Sequence, residues 1–179
     1  DVLDKKKNII YTAIFLCGVV FLCFDFYLIA ITIINYRVPF LIGSIIAILV
    51  SYFDFENYNS TYKFPNKYSK IFFSFGQNLI SWGAFTIFLF VGANYYFEKE
   101  EFKEKEFEII EKYESYGGKG NRSREDVSLY INHKSDKEDI HFNGINHSEI
   151  DKIKSITLDV REGFFGYLIY RNKRINWKD

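Results

Sequence analysis

Two long stretches almost without charge set the pattern of this chain. Between Asn8 and Phe53 only Asp25 and Arg37 are charged, and Ile71 to Phe97 carries no charge at all. Ile9–Ile34 predicts a first membrane span of ~39 Å at 1.5 Å per residue. That exceeds the ~30 Å hydrocarbon core, so it crosses with tilt or overhang. Val38–Phe53 predicts a second span of ~24 Å that needs its flanks to reach across. Pro39 suits its first turn, where the missing N–H costs nothing. The linker Asn35-Tyr36-Arg37 is so brief that spans one and two read as an antiparallel helical hairpin. Ile71–Phe97 predicts the third span. Tyr11, Tyr36, Tyr52, Tyr68, Tyr95 and Tyr96 cluster at the edges, where amphipathic rings sit at headgroup level.

From Glu98 onward the pattern changes. Glu98 to Glu114 holds eight Glu and four Lys, and residues 98–105 read as a charged neck. Phe107–Glu114 predicts a strand, and Gly117-Gly118-Lys119-Gly120-Asn121 a turn cluster. Apolar and polar residues alternate at Val127, Leu129 and Ile131, then again at Ile156, Leu158 and Val160, with a further strand over Asp139–Phe142. Asn146–Lys154 predicts a short helix capped by Asn146 or Ser148, and a last strand runs through Tyr167 and Ile169. The expected architecture is thus three transmembrane α-helices in residues 1–97, a helical hairpin plus one. A small β-rich α+β extramembrane domain follows in residues 106–179.

Composition sharpens this division. Residues 1–97 carry 7 basic and 5 acidic side chains, and residues 98–179 carry 16 and 18. With Lys+Arg and Asp+Glu both at 23, no net charge draws the chain to nucleic acid. Lys5, Lys6 and Lys7 precede the first span, but the apolar run is too long for a cleaved signal and no small-x-small site follows. Residues ahead of Cys17 and Cys23 do not form a lipobox, and the two cysteines read as buried small hydrophobes. The N-terminal flank and the second loop supply six Lys. Arg37 with Lys99, Lys103 and Lys105 supplies four basic residues on the other side. This asymmetry predicts a cytoplasmic N-terminus and a β-rich domain outside. The expected location is a bacterial inner membrane, crossed several times, with that domain periplasmic or extracytoplasmic.

Asp25 is the most informative residue. A carboxyl near mid-membrane costs ~2.5–3.5 kcal/mol on insertion scales, so it should face a protein interior or water. Tyr11, Gly18, Asp25 and Thr32 recur every seven residues and form one polar or small seam. Span two offers Gly43, Ser44, Ala47 and Ser51. Span three offers Ser74, Gln77, Asn78 and Ser81 on one side, with Gly76 and Gly83 nearly opposite. Depth along the helices predicts that Asp25 bonds to Ser44, to Thr86 or to both. Two polar faces on span three call for two neighbours, which suggests self-association or membership of a larger complex.

Other chemistry is thin. His133, His141 and His147 lie near several carboxylates, but without a tight helical pair or H-E-x-x-H they read as surface residues rather than a metal site. Lys119, Arg122 and Arg124 with the glycine-rich backbone form a candidate anion-binding turn. No nucleophile elbow or placed carboxylate pair is present. The expected role is a non-enzymatic integral membrane subunit without cofactor. Its partners are lipid and other membrane subunits or its own copies, not nucleic acid. The alternative is a homo-oligomeric pore or small transporter gated by the β-rich domain.

Overall fold

The structure, a computed structural model, describes residues 2–97, 100–116, 125–133 and 136–178. The chain divides into a helical unit, Asp1–Ala30 with Tyr36–Phe97, and a sheet unit, Ile31–Asn35 with Glu98–Asp179.

The helical unit contains α1 (Val2–Ala30), α2 (Arg37–Thr61) and a long third helix. That third helix runs through α3 (Lys67–Asn78), a π-helical turn (Leu79–Gly83) and α4 (Ala84–Tyr96). Among the described residues, three segments are long and apolar enough to cross a membrane: Lys6–Ala30, Arg37–Tyr58 and Lys67–Tyr96.

Two predicted boundaries move. The first helix stops at Ala30 rather than Ile34, because Ile31-Thr32-Ile33-Ile34 is a run of four β-branched residues that favours extended backbone. The second helix continues past Phe53, since Asp54 and Glu56 end a hydrophobic run without breaking a helix. It closes at Tyr62, whose extended backbone still donates its N–H to the Tyr58 carbonyl at 2.9 Å.

Spans one and two share few contacts with each other; each packs mainly on the third helix. Glycines set those contacts. A Cβ on Gly18 would lie 2.2 Å from the Ile80 carbonyl oxygen and 2.6 Å from the Ser81 Cα, so only glycine lets α1 approach there. Gly43 of α2 and Gly83 face each other in the same manner, with a Cβ on Gly83 3.1 Å from the Gly43 carbonyl oxygen. Asn78 Nδ2 donates to Ser51 Oγ at 3.1 Å on that side too. In a regular helix Asn78 and Gly83 would stand about 140° apart at 3.6 residues per turn. The π turn inserts an extra residue into one turn and brings Gly83 round to the side of Asn78. Within the helical unit α1 and α2 thus each take a side of the third helix, while a Cβ at Gly76 would meet nothing within 4 Å.

The sheet unit is a six-stranded antiparallel sheet of order β1-β6-β5-β2-β3-β4. Its strands are β1 (Thr32–Ile33), β2 (Lys103–Tyr116), β3 (Glu125–His133), β4 (Asp136–Asn143), β5 (Ile153–Glu162) and β6 (Leu168–Trp177). The predicted neck is not separate from the domain, because Lys103, Glu104 and Lys105 pair with Val160, Asp159 and Leu158. The predicted short helix is a 3₁₀ helix, His147–Lys152, entered through Asn146, whose Oδ1 accepts from the Ser148 N–H at 3.0 Å.

One face of the sheet closes over a core of Ile33, Phe107, Val127, Leu129, Ile131, Ile140, Phe142, Ile150, Ile153, Ile156, Leu158 and Val160. Alternation explains β3, where Val127, Leu129 and Ile131 are fully buried. It does not explain β5, which is buried on both faces. Ser155 and Thr157 on the second face accept from Asn176 Nδ2, each at 2.9 Å, and Ser155 Oγ donates to Glu106. At the bulge between Leu158 and Asp159 the opposing strand carries Asn172 at φ 48°. Asn tolerates this left-handed conformation, and its side chain donates to Asp159 Oδ2 at 2.9 Å. Gly166, at φ 81°, closes the β5–β6 turn by donating its N–H to the Gly163 carbonyl at 2.9 Å.

Candidate functional site

Asp25 is buried, at 3% exposure. Seven residues before it, Gly18 meets Ile80 and Ser81, so a further ~10.5 Å of helix rise sets Asp25 level with about residue 87. Phe24 packing against Phe88, with tilted rings whose centroids are 6.0 Å apart, agrees with this register. Around that level the third helix buries Ala84, Ile87 and Val91, an apolar surface.

The predicted bonds to Ser44 and Thr86 do not form. Thr86 Oγ1 donates instead to the Trp82 carbonyl one turn back, at 2.8 Å, the usual outlet for a helical threonine hydroxyl. Among the described residues, Ser44 Oγ is buried without a hydrogen-bond partner, as are both carboxyl oxygens of Asp25. The reason is architectural. Matching depths assumed that α1 and α2 pack side by side, whereas each lies mainly against the third helix.

Polar contacts between helices gather elsewhere, around the α2–α3 connection. Tyr11 OH donates to Asp54 Oδ1 at 2.8 Å and Oδ2 at 2.7 Å, joining α1 to α2, and Asn57 Nδ2 donates to Asp54 Oδ1 at 2.8 Å. Tyr58 is fully buried, with its ring centroid 5.2 Å from Tyr11, 5.8 Å from Tyr62 and 6.2 Å from Phe73. Lys70 is also buried, at 4% exposure, with Nζ 3.5 Å from the Phe55 ring centroid. Sequence reasoning had placed Tyr11 on the polar seam, but it passed over Asp54 as the end of a span and Lys70 as a loop charge. The signal for Asp54 was its position opposite Tyr11 once the second helix is extended by two turns.

The other candidates separate. Lys119, Arg122 and Arg124, the predicted anion-binding turn, lie outside the described residues. The histidines engage different partners. His141 Nε2 is 3.7 Å from Asp126 Oδ2, and His147 Nδ1 is 3.6 Å from Glu114 Oε2. Among the described residues no three metal-ligating side chains come together. Cys17 and Cys23 are exposed on the helical unit, not buried as expected, because α1 packs through the side that carries Gly18 and Asp25.

In the sheet unit the most developed side-chain chemistry is structural. Lys112 Nζ donates to the Ile150 and Ile153 carbonyls at 3.0 and 2.7 Å, holding the 3₁₀ helix against β2, and burial pushes its pKa down. Partial burial likewise lowers Lys173, which donates to the His141 carbonyl. Compared with known protein families, curated proteins and solved structures, the chain matches none.

Proposed function

We propose that this chain is a non-enzymatic integral membrane subunit: its three helices anchor and pack in the bilayer, and its sheet unit contacts a partner. The observation that carries this reading is the contrast in how the two units treat apolar surface. The sheet unit buries most of its large aliphatic residues in one core, with Ile110 left exposed. The helices leave Leu16, Val20, Phe26, Leu41, Ile48 and Phe53 uncovered along their length. Side chains of that kind need lipid or neighbouring helices around them. The Lys and Arg asymmetry supports a cytoplasmic N-terminus and an extracytoplasmic sheet unit.

The test is the mass of the complex isolated in mild detergent, by native mass spectrometry with co-purifying proteins identified. A hetero-complex of fixed stoichiometry supports the subunit reading. A bare monomer, with nothing bound across several detergents, contradicts it.

A second reading, a pore or small transporter acting through Asp25, is favoured by one observation. The Asp25 carboxyl is buried in an apolar stretch with neither oxygen hydrogen-bonded, so it does not serve as a clamp between the described helices. Ion flux in proteoliposomes that disappears in Asp25→Asn while the protein remains folded supports that reading. Absence of flux in the wild type removes it.

A further inference from the structure

We propose that the cleft where α2 gives way to α3 binds a phosphate-bearing anion through Lys63, Lys67 and Lys70, with Lys70 as its buried anchor. This goes beyond the subunit reading and does not depend on it. The cleft is a cavity of about 580 Å³ lined by Phe55, Tyr62, Lys63, Phe64, Asn66, Lys67 and Lys70. Three of its seven lining residues are lysines and none is acidic. Lys63 and Lys67 are exposed at its rim, whereas Lys70 is 4% exposed. Lys70 Nζ has no hydrogen-bond acceptor among the described residues and rests only over the Phe55 ring. A buried ammonium without an anion is costly, and a ring face repays only part of its lost hydration. An anion entering the cleft supplies the missing partner.

The backbone adds to this field. Asn66 caps α3 by accepting the Ser69 N–H at 2.8 Å, so the amino-terminal turn of the helix, with its free N–H groups and positive dipole end, opens at the cleft. The nearby carboxylates Asp54 and Glu56 do not line the cleft. Asp54 takes the Tyr11 hydroxyl, and Glu56 lines a different cavity together with Ile48, Ser51, Ile71 and Ser74. Tetrahedral phosphate oxygens accept from several lysines at once, and the aromatic walls of Phe55, Tyr62 and Phe64 leave room for the group that carries the phosphate. Such a group is offered both by a phospholipid headgroup and by a soluble phosphate.

The experiment uses the full chain purified in neutral detergent. Binding of dioleoylphosphatidylglycerol and of dioleoylphosphatidylcholine is measured by native mass spectrometry, with and without inorganic phosphate in the solution. The anionic lipid is expected to be retained over the zwitterionic one. Lys63→Gln combined with Lys67→Gln should weaken it about tenfold or more, from ~1 kcal/mol per basic residue at a headgroup surface. Lys70→Gln should weaken it at least as much. Lipid retention insensitive to millimolar phosphate identifies the headgroup as the ligand. Displacement of lipid by phosphate, or phosphate binding without lipid, identifies a soluble source. Equal retention of the two lipids with no effect of phosphate overturns the site, and so does wild-type retention in the variants. Lys63 and Lys67 are surface residues, so their double variant keeps the test decisive if Lys70→Gln fails to fold.

Discussion

The backbone N–H of Tyr170 donates to the carbonyl of Ile31 at 2.8 Å, tying the last strand of the chain to the residue that follows its first helix. Thr32 and Ile33 then pair with Ile169 and Leu168 as the edge strand of the sheet. What looked like the tail of a span and a hairpin loop is an element of the sheet unit. Tyr36–Phe97 therefore lies in sequence between two segments of the sheet unit.

Ile33 is nearly fully buried in the sheet core although helices long and apolar enough to cross a membrane lie on either side of it in sequence. Ile33→Ala should destabilise the sheet unit by about 2–4 kcal/mol, within the range for large-to-small core changes, and Ile33→Val by about 1 kcal/mol. Limited proteolysis of the detergent-solubilised chain, read as the rate at which the C-terminal unit is cut, reports the difference. Indistinguishable rates for wild type and Ile33→Ala would mean that β1 contributes nothing to that unit.

Glycine positions on the helices divide sharply. A methyl at Gly18 meets the backbone of Ile80 and Ser81, whereas a methyl at Gly76 meets nothing within 4 Å. Gly18→Ala should lower the melting temperature in detergent by several degrees. Gly76→Ala should leave it unchanged or raise it, since alanine is favoured over glycine in a helix interior by about 1 kcal/mol. The reverse order would show that α1 does not approach the third helix at Ile80.

Tyr11 and Asp54 make the interhelical hydrogen bond of shortest distance among the helical contacts described above. A double-mutant cycle with Tyr11→Phe and Asp54→Ala should give a coupling of about 0.6–2 kcal/mol, the range for hydrogen bonds between helices in membranes. A coupling of zero would separate the N-terminal half of α1 from the end of α2.

Acid should loosen the sheet through Glu111. The Lys137 ammonium bonds to Glu111, Tyr113 OH donates to it at 2.7 Å, and these partners hold its carboxyl below the usual range. A carboxyl whose folded pKa is depressed contributes stability that is present above its unfolded value, ~4.3, and lost as pH falls through the folded value. Thermal melts from pH 7 to pH 3 should therefore show a smaller acid-induced loss in Glu111→Gln than in wild type. Parallel curves would assign the acid sensitivity to other carboxylates.

Features that depend on local pattern could be read in the sequence. Charge-free runs marked the helices, and alternation at Val127, Leu129 and Ile131 marked a strand of the core. Features that depend on distant partners could not. Thr32 and Ile33 become a strand only because Leu168 and Ile169 present an edge, and a β-branched run at the end of a span was the single local hint. Ser155 and Thr157 look like the solvent side of β5 until Asn176 covers them. For Asp25, equal depth was sound but adjacency was not, because the third helix takes the contacts with α1 and α2. Lys70 counted as a loop charge, and its burial arises from the Phe55 ring of another helix.

The central proposal is that all three helices cross a bilayer, with Lys67 on the cytoplasmic side and Lys154 on the outside. It is tested most directly by cysteine accessibility in intact cells. Cys17 and Cys23 are replaced by Ala, and a single cysteine is introduced at exposed Lys67 or at exposed Lys154. With a membrane-impermeant maleimide, Lys154→Cys is predicted to label in intact cells, and Lys67→Cys only after the membrane is permeabilised. Labelling of both positions from the same side would contradict the account.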